Sequence, residues 1–227
     1  MNSFKYIKLL IIGLVSAVCI NSNAFDFFRI FKGEGYKVDY TVFQIGVVAN
    51  LFDTDNVYGL ALAFPVSSNK NNYGLATGIW GRSADHRGIQ FNAVNLAREL
   101  NGLQVGLVGV INAPEEEESM GIQVNVLYNL SETLFGIQTG LVNQSGRLNG
   151  TQLGLVNVAD QGIQFGLVNV FNSRRTLEGI DSYQSDAQVQ VGLYNHSASQ
   201  YSFQFGVLNY NKNSLIPYFP IFNFSTE

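Results

Sequence analysis

His86 and His196 are the only histidines in the 227-residue chain, and neither belongs to an HxxH, HExxH or other metal-binding spacing. Each falls in or beside a turn signal, so both read as loop histidines. Serine, aspartate and histidine are all present, yet no serine carries the flanking glycines of a nucleophile elbow, and no hydrolase triad is expected. Glu115, Glu116, Glu117 and Glu118 form an acidic run after Pro114 that could attract Ca²⁺ or a basic partner, although a solvated loop is the plainer reading. Arg174 and Arg175 lie in a second long loop. These six residues are the candidate partner contacts; no catalytic, cofactor or metal residue is nominated, and no enzymatic activity is expected. Asparagine in Asn-x-Ser/Thr context at positions 129, 143, 149, 195 and 223 reads as turn chemistry, not glycosylation.

The N-terminus has the layout of an export signal. Lys5 and Lys8 precede an apolar stretch from Leu9 to Ile20, and Ser22-Asn23-Ala24 offers small residues at −3 and −1 of a cleavage site. Residues 1–24 are therefore expected to be a signal peptide, with 25–227 a single β-repeat domain. Cys19 is the only cysteine and lies within the signal, preceded by Val18 where lipidation needs a small residue. Cleavage after Ala24 leaves no thiol, hence no disulfide and no Cys nucleophile. Removing Lys5 and Lys8 leaves 11 basic residues against 17 acidic ones and moves the charge from −4 to −6. With no basic patch visible, nucleic acid is not an expected partner.

What must position any functional residue is a repeat. Gly136-Ile137-Gln138-Thr139-Gly140-Leu141-Val142-Asn143, Gly150-Thr151-Gln152-Leu153-Gly154-Leu155-Val156-Asn157 and Gly162-Ile163-Gln164-Phe165-Gly166-Leu167-Val168-Asn169 share the form GxQxGLxN. A fourth clear unit starts at Gly88, and others centre on Gln44, Gln104, Gln123, Gln190 and Gln204. Two degenerate copies lie around Gly59 and Gly74, with glycine read in place of the glutamine. The 11 units are mostly 12 to 16 residues apart, with gaps of 19 before Gln123 and 26 before Gln190. Alternation along a strand separates a bulky set, such as Ile163, Phe165 and Leu167, from a small or neutral-polar set, such as Gly162, Gln164, Gly166 and Val168. That period of two marks strands with one buried or lipid-facing side.

Two architectures fit. Eight extended residues span roughly 26 Å, and the four residues 158–161 cannot carry the chain back over that distance. If the unit is one continuous strand, its neighbours run antiparallel, giving an all-β antiparallel meander of about twelve short strands, barrel-like, with a last strand at Ile216 to Phe224. The two longest loops, around Ala113 to Met120 and Asn172 to Asp186, share parity and so emerge at one rim, as in an outer-membrane barrel. Its bulky face would meet lipid, and glycine and glutamine would line a tight lumen. The alternative is a β-solenoid of 12–15 residue coils, which requires each unit to bend at its Leu-Val pair.

The GxQxGLxN units and the ending Leu215-Ile216-Pro217-Tyr218-Phe219-Pro220-Ile221-Phe222-Asn223-Phe224 resemble a bacterial family of surface-repeat proteins first noted in spirochaetes. The resemblance extends from Val42 to Phe224. It implies an exported outer-membrane or cell-surface protein with a structural or interaction role, and it assigns no binding residues. Outer-membrane lipid and another surface protein or polymer are the partner classes it leaves open. A small-solute channel and a secreted soluble solenoid, periplasmic or released, are the alternative readings. Some similar sequences carry a polyhydroxyalkanoate-synthase label, which this chain does not support: such an enzyme looks like an α/β-hydrolase with a Gly-x-Cys-x-Gly elbow, and none occurs here.

Overall fold

The computed structural model describes residues 25–30, 38–47, 54–64, 66–112, 118–171 and 188–225, so residues 1–24, the expected signal segment, lie outside it. These residues form twelve strands and no helix. The strands are β1 (Phe25–Ile30), β2 (Val38–Val47), β3 (Thr54–Phe64), β4 (Val66–Ile111), β5 (Ser119–Thr139), β6 (Val142–Leu153), β7 (Val156–Ala159), β8 (Gly162–Phe165), β9 (Val168–Phe171), β10 (Gln188–Ser197), β11 (Ser202–Asn211) and β12 (Tyr218–Ser225).

The all-β expectation holds, but the antiparallel meander does not. From β1 to β11 every pairing is parallel, and the repeats stack in register: Gln104 on Gln123, Gln138 on Gln152, Gln152 on Gln164 and Gln190 on Gln204. Only β11 and β12 pair antiparallel. The reason is that the unit is not one continuous strand. The chain bends at Gly154-Leu155 and again at Gly166-Leu167, breaking each unit into two short strands. The first half of a unit runs outward and the second half returns, so a four-residue connection suffices to begin the next coil.

Closure arises from the same bend. The pairings β6-β7-β9-β10 carry the second halves of the units, β8 joins β6 to β10 through the first halves, and the five strands form a closed ring. The ring is the wall of a stack of coils separated by about 4.8 Å, the ordinary strand spacing.

Glycine makes the close stacking possible. Gly136 has a φ of 152°, and a Cβ there would run into the carbonyl of Gly121 in the preceding coil. At the bend, a Cβ on Gly154 would meet the Gly140 carbonyl and the Asn143 amide. The bend therefore falls on the second glycine and the leucine, one residue earlier than the expected Leu-Val corner.

At the C-terminal end, β12 lies antiparallel across the last coil and its register against β11 shifts between Gly206 and Asn209. Opposite that shift, Ile221 adopts a φ of 71°, a strained setting for a β-branched residue.

Candidate functional surface

The inside of the coils is polar and filled. Gln90, Gln104, Gln123, Gln138, Gln152, Gln164, Gln190 and Gln204 are buried in one column. Each from Gln104 onward donates its Nε2 to the Oε1 of the glutamine in the preceding coil, at 2.7 to 3.0 Å. In most of these coils the second amide hydrogen crosses to a backbone carbonyl six residues on, as from Gln152 to Val158 at 3.1 Å and from Gln204 to Tyr210 at 3.0 Å.

A second column holds Asn129, Asn143, Asn157, Asn169, Asn195 and Asn209. Here the sense is reversed. Each asparagine up to Asn195 donates its Nδ2 to the Oδ1 of the asparagine in the following coil, at 2.7 to 2.9 Å. The same nitrogen also reaches a carbonyl of that following coil, as from Asn143 to Leu153 at 3.0 Å, which fixes the orientation of the amide. Buried polar groups are tolerated because nearly all are paired. A third region of the interior is apolar, with Leu100, Ile111, Leu134, Leu148, Ala159 and Phe171 packed together.

Glutamine and asparagine of one unit are five residues apart, as in Gln164 and Asn169. On a straight strand an odd separation points two side chains to opposite faces. Both are buried because the bend at Gly166-Leu167 reverses the parity. Val168, assigned with the small inward set, consequently turns to the outer side, where it is half-buried.

The large apolar side chains point out. Ile163 and Phe165, like Ile89, Phe91, Ile137 and Phe205, are exposed on the outer side of the first strand of each unit. At the bend, Leu107, Leu127, Leu141, Leu155, Leu167 and Leu193 form a continuous ridge, each 44 to 55% exposed. Backbone hydrogen bonds tie the ridge together: the amides of Leu155, Leu167 and Leu193 donate to the carbonyls of Leu141, Leu155 and Leu167 at 3.0 Å. Contiguous apolar exposure of this kind is characteristic of surfaces that contact a partner or a membrane.

The residues expected to carry chemistry lie apart from one another. Glu118 is exposed beside β5, whereas Glu115, Glu116, Glu117, Arg174 and Arg175 lie outside the described residues. Neither histidine is in a loop, which corrects that reading. His86 is part of β4 and fully buried, two residues before Gly88, in the column that later coils fill with Leu100, Leu134 and Leu148. Neither of its ring nitrogens has a hydrogen-bond partner among the described residues. Burial lowers its pKa to about 4, the Ile89 backbone pulling weakly the other way. His196, on the outer side of β10, packs against Tyr210 with ring centroids 4.9 Å apart. Partial burial lowers its pKa.

Among the described residues no group of three or more His, Cys, Asp or Glu side chains is placed to hold a metal ion. The ladders use amide groups that neither titrate nor attack, so their chemistry is structural. Comparisons with protein-family models, with curated proteins and with solved structures find no match to this chain.

Proposed function

We propose that the chain is an exported, non-catalytic scaffold of the bacterial surface with a structural or interaction role, held against outer-membrane lipid by its apolar exterior. The observation that carries this reading is the inversion of the usual distribution: amides are buried in ladders while leucine, isoleucine and phenylalanine face out. Apolar surface gains roughly 25 cal/mol for each Å² removed from water, so an exterior of this kind favours a state in which it is covered. The export-signal layout and the resemblance to surface-repeat proteins point to the same compartment.

The small-solute channel is the less favoured reading, because a pore needs room and charge whereas the described interior holds paired glutamine and asparagine side chains. A secreted solenoid bound to another surface component retains one specific argument: parallel glutamine stacks are what that reading requires. Fractionation of cells expressing the full chain, followed by carbonate washing, separates the two. Retention with the outer membrane is expected; release into the soluble fraction would favour the secreted solenoid.

A further inference from the structure

From the placement of its charges, we infer that the coil stack lies flat on the bilayer, its axis parallel to the membrane, with the leucine ridge immersed in one leaflet. This rests on the lipid-contact reading above and adds the orientation and the inserted edge. From Lys70 to Lys212, every described charged residue falls in the segment between the end of one unit and the opening of the next: Arg98 and Glu99 in one coil, Glu132, Arg147 and Asp160 in later ones. None falls between the first glycine and the asparagine of a unit. The coil thus has a charged edge where the units join and, at the mid-unit bend, an edge without charge.

That uncharged edge is convex, because the chain bends there with the Gln and Asn side chains enclosed on the inside. A convex ridge offers little area to a second convex ridge, and an acidic or basic partner would find no countercharge on it. A fluid acyl layer conforms to such a ridge without needing shape complementarity. Five coil steps from Leu107 to Leu193 make the ridge about 24 Å long at the strand spacing. Upright insertion would carry the charged edge through the hydrocarbon along the stack, at several kcal/mol for each unsatisfied charge. Lying flat leaves that edge in water. Exposed Ile79 falls at the ridge position of an earlier coil and exposed Trp80 directly follows it, so the single tryptophan reports on the border of the inserted edge.

The test uses the full mature chain and phosphatidylcholine vesicles with bromine placed at different acyl depths. Trp80 emission should shift to the blue on binding, be quenched by the brominated lipid, and remain so in high salt, since the attraction is apolar. In a Trp80→Phe background, tryptophan placed singly by Leu107→Trp, Leu155→Trp or Leu193→Trp should report the same depth, and Glu132→Trp should not be quenched. Depths that change steadily from Leu107→Trp to Leu193→Trp would overturn the flat orientation while leaving lipid contact standing. Equal quenching of Glu132→Trp would overturn the assignment of the inserted edge. Absence of vesicle binding by the unsubstituted chain would defeat the lipid-contact reading itself, and the orientation with it.

Discussion

The coils around Gln138, Gln152 and Gln164 and the coils around Ala61 and Ala76 share one path but differ in how their interiors are satisfied. In the former, each glutamine has a neighbour above and below and a carbonyl across the coil. In the latter, alanine and not the expected glycine takes the glutamine position, since Gln44 pairs with Ala61 and Ala61 with Ala76, and the Oδ1 atoms of Asn69 and Asn72 and both ring nitrogens of His86 have no hydrogen-bond partner among the described residues. The glycine column runs through both regions, as Gly74 sits on Gly59 and Gly150 on Gly136. Glycine spacing is therefore what permits the stack, and the amide ladder is what locks its register. A one-residue slip would move every glutamine out of the interior and bury the bulky residues beside it.

The comparison breaks most completely at the glycine column. Gly136→Val puts a β-branched side chain at a φ of 152° and against the Gly121 backbone, which should cost more than about 4 kcal/mol. Circular dichroism of the variant should show loss of the folded β signal. A folded variant with an unchanged denaturation midpoint would show that close stacking is not required.

Gln152→Leu keeps the volume but removes the donor to Gln138 and the acceptor for Gln164. Two buried amide groups then lose a partner, at about 1–3 kcal/mol each. Urea denaturation should reveal a loss of that order, whereas an alanine-bearing coil, with no ladder to break, should be less sensitive to substitution at Ala76.

The polar defect sharpens the contrast through pH. Because the folded pKa of His86 is about 4 against an ordinary 6.5, the unfolded chain binds the proton more readily between those values. Stability should therefore be full above pH 6.5 and fall, by on the order of 3 kcal/mol, as pH drops towards 4. His86→Leu matches the Leu100, Leu134 and Leu148 of later coils, so it should raise the denaturation midpoint at pH 5 and flatten most of this dependence. An unchanged pH profile in His86→Leu would assign the effect to other groups, His196 first, whose pKa is lowered in the same direction.

Much of this was legible in the amino-acid sequence. The alternation of Ile163, Gln164 and Phe165 sorts correctly into an outer and an inner set, and the sorting is visible without knowing strand direction. What escaped was the bend. Treating Gly162 to Asn169 as one strand makes the four-residue link an argument for antiparallel neighbours. The odd separation of Gln164 and Asn169 holds the contrary signal, since two residues repeated together in every unit have reason to share a side. His86 reads as a loop residue because its neighbours are turn-forming, and only its distance from Gly88 reveals its column. Nothing in composition distinguishes the charged edge from ordinary loops until the coil register is known.

The reversed sense of donation in the two amide columns has a consequence for chain length. From Gln138 to Gln190 each glutamine dipole is opposed by an asparagine dipole in the same coil, and the backbone bonds of a strand point alternately up and down the stack. The axis therefore accumulates no field as coils are added, unlike an α-helix, whose aligned peptides leave partial charge at both ends. A coil can be inserted or deleted without electrostatic penalty at either terminus. Repeat number is accordingly free to vary, and the span of the ridge can change while the cross-section of the protein stays constant.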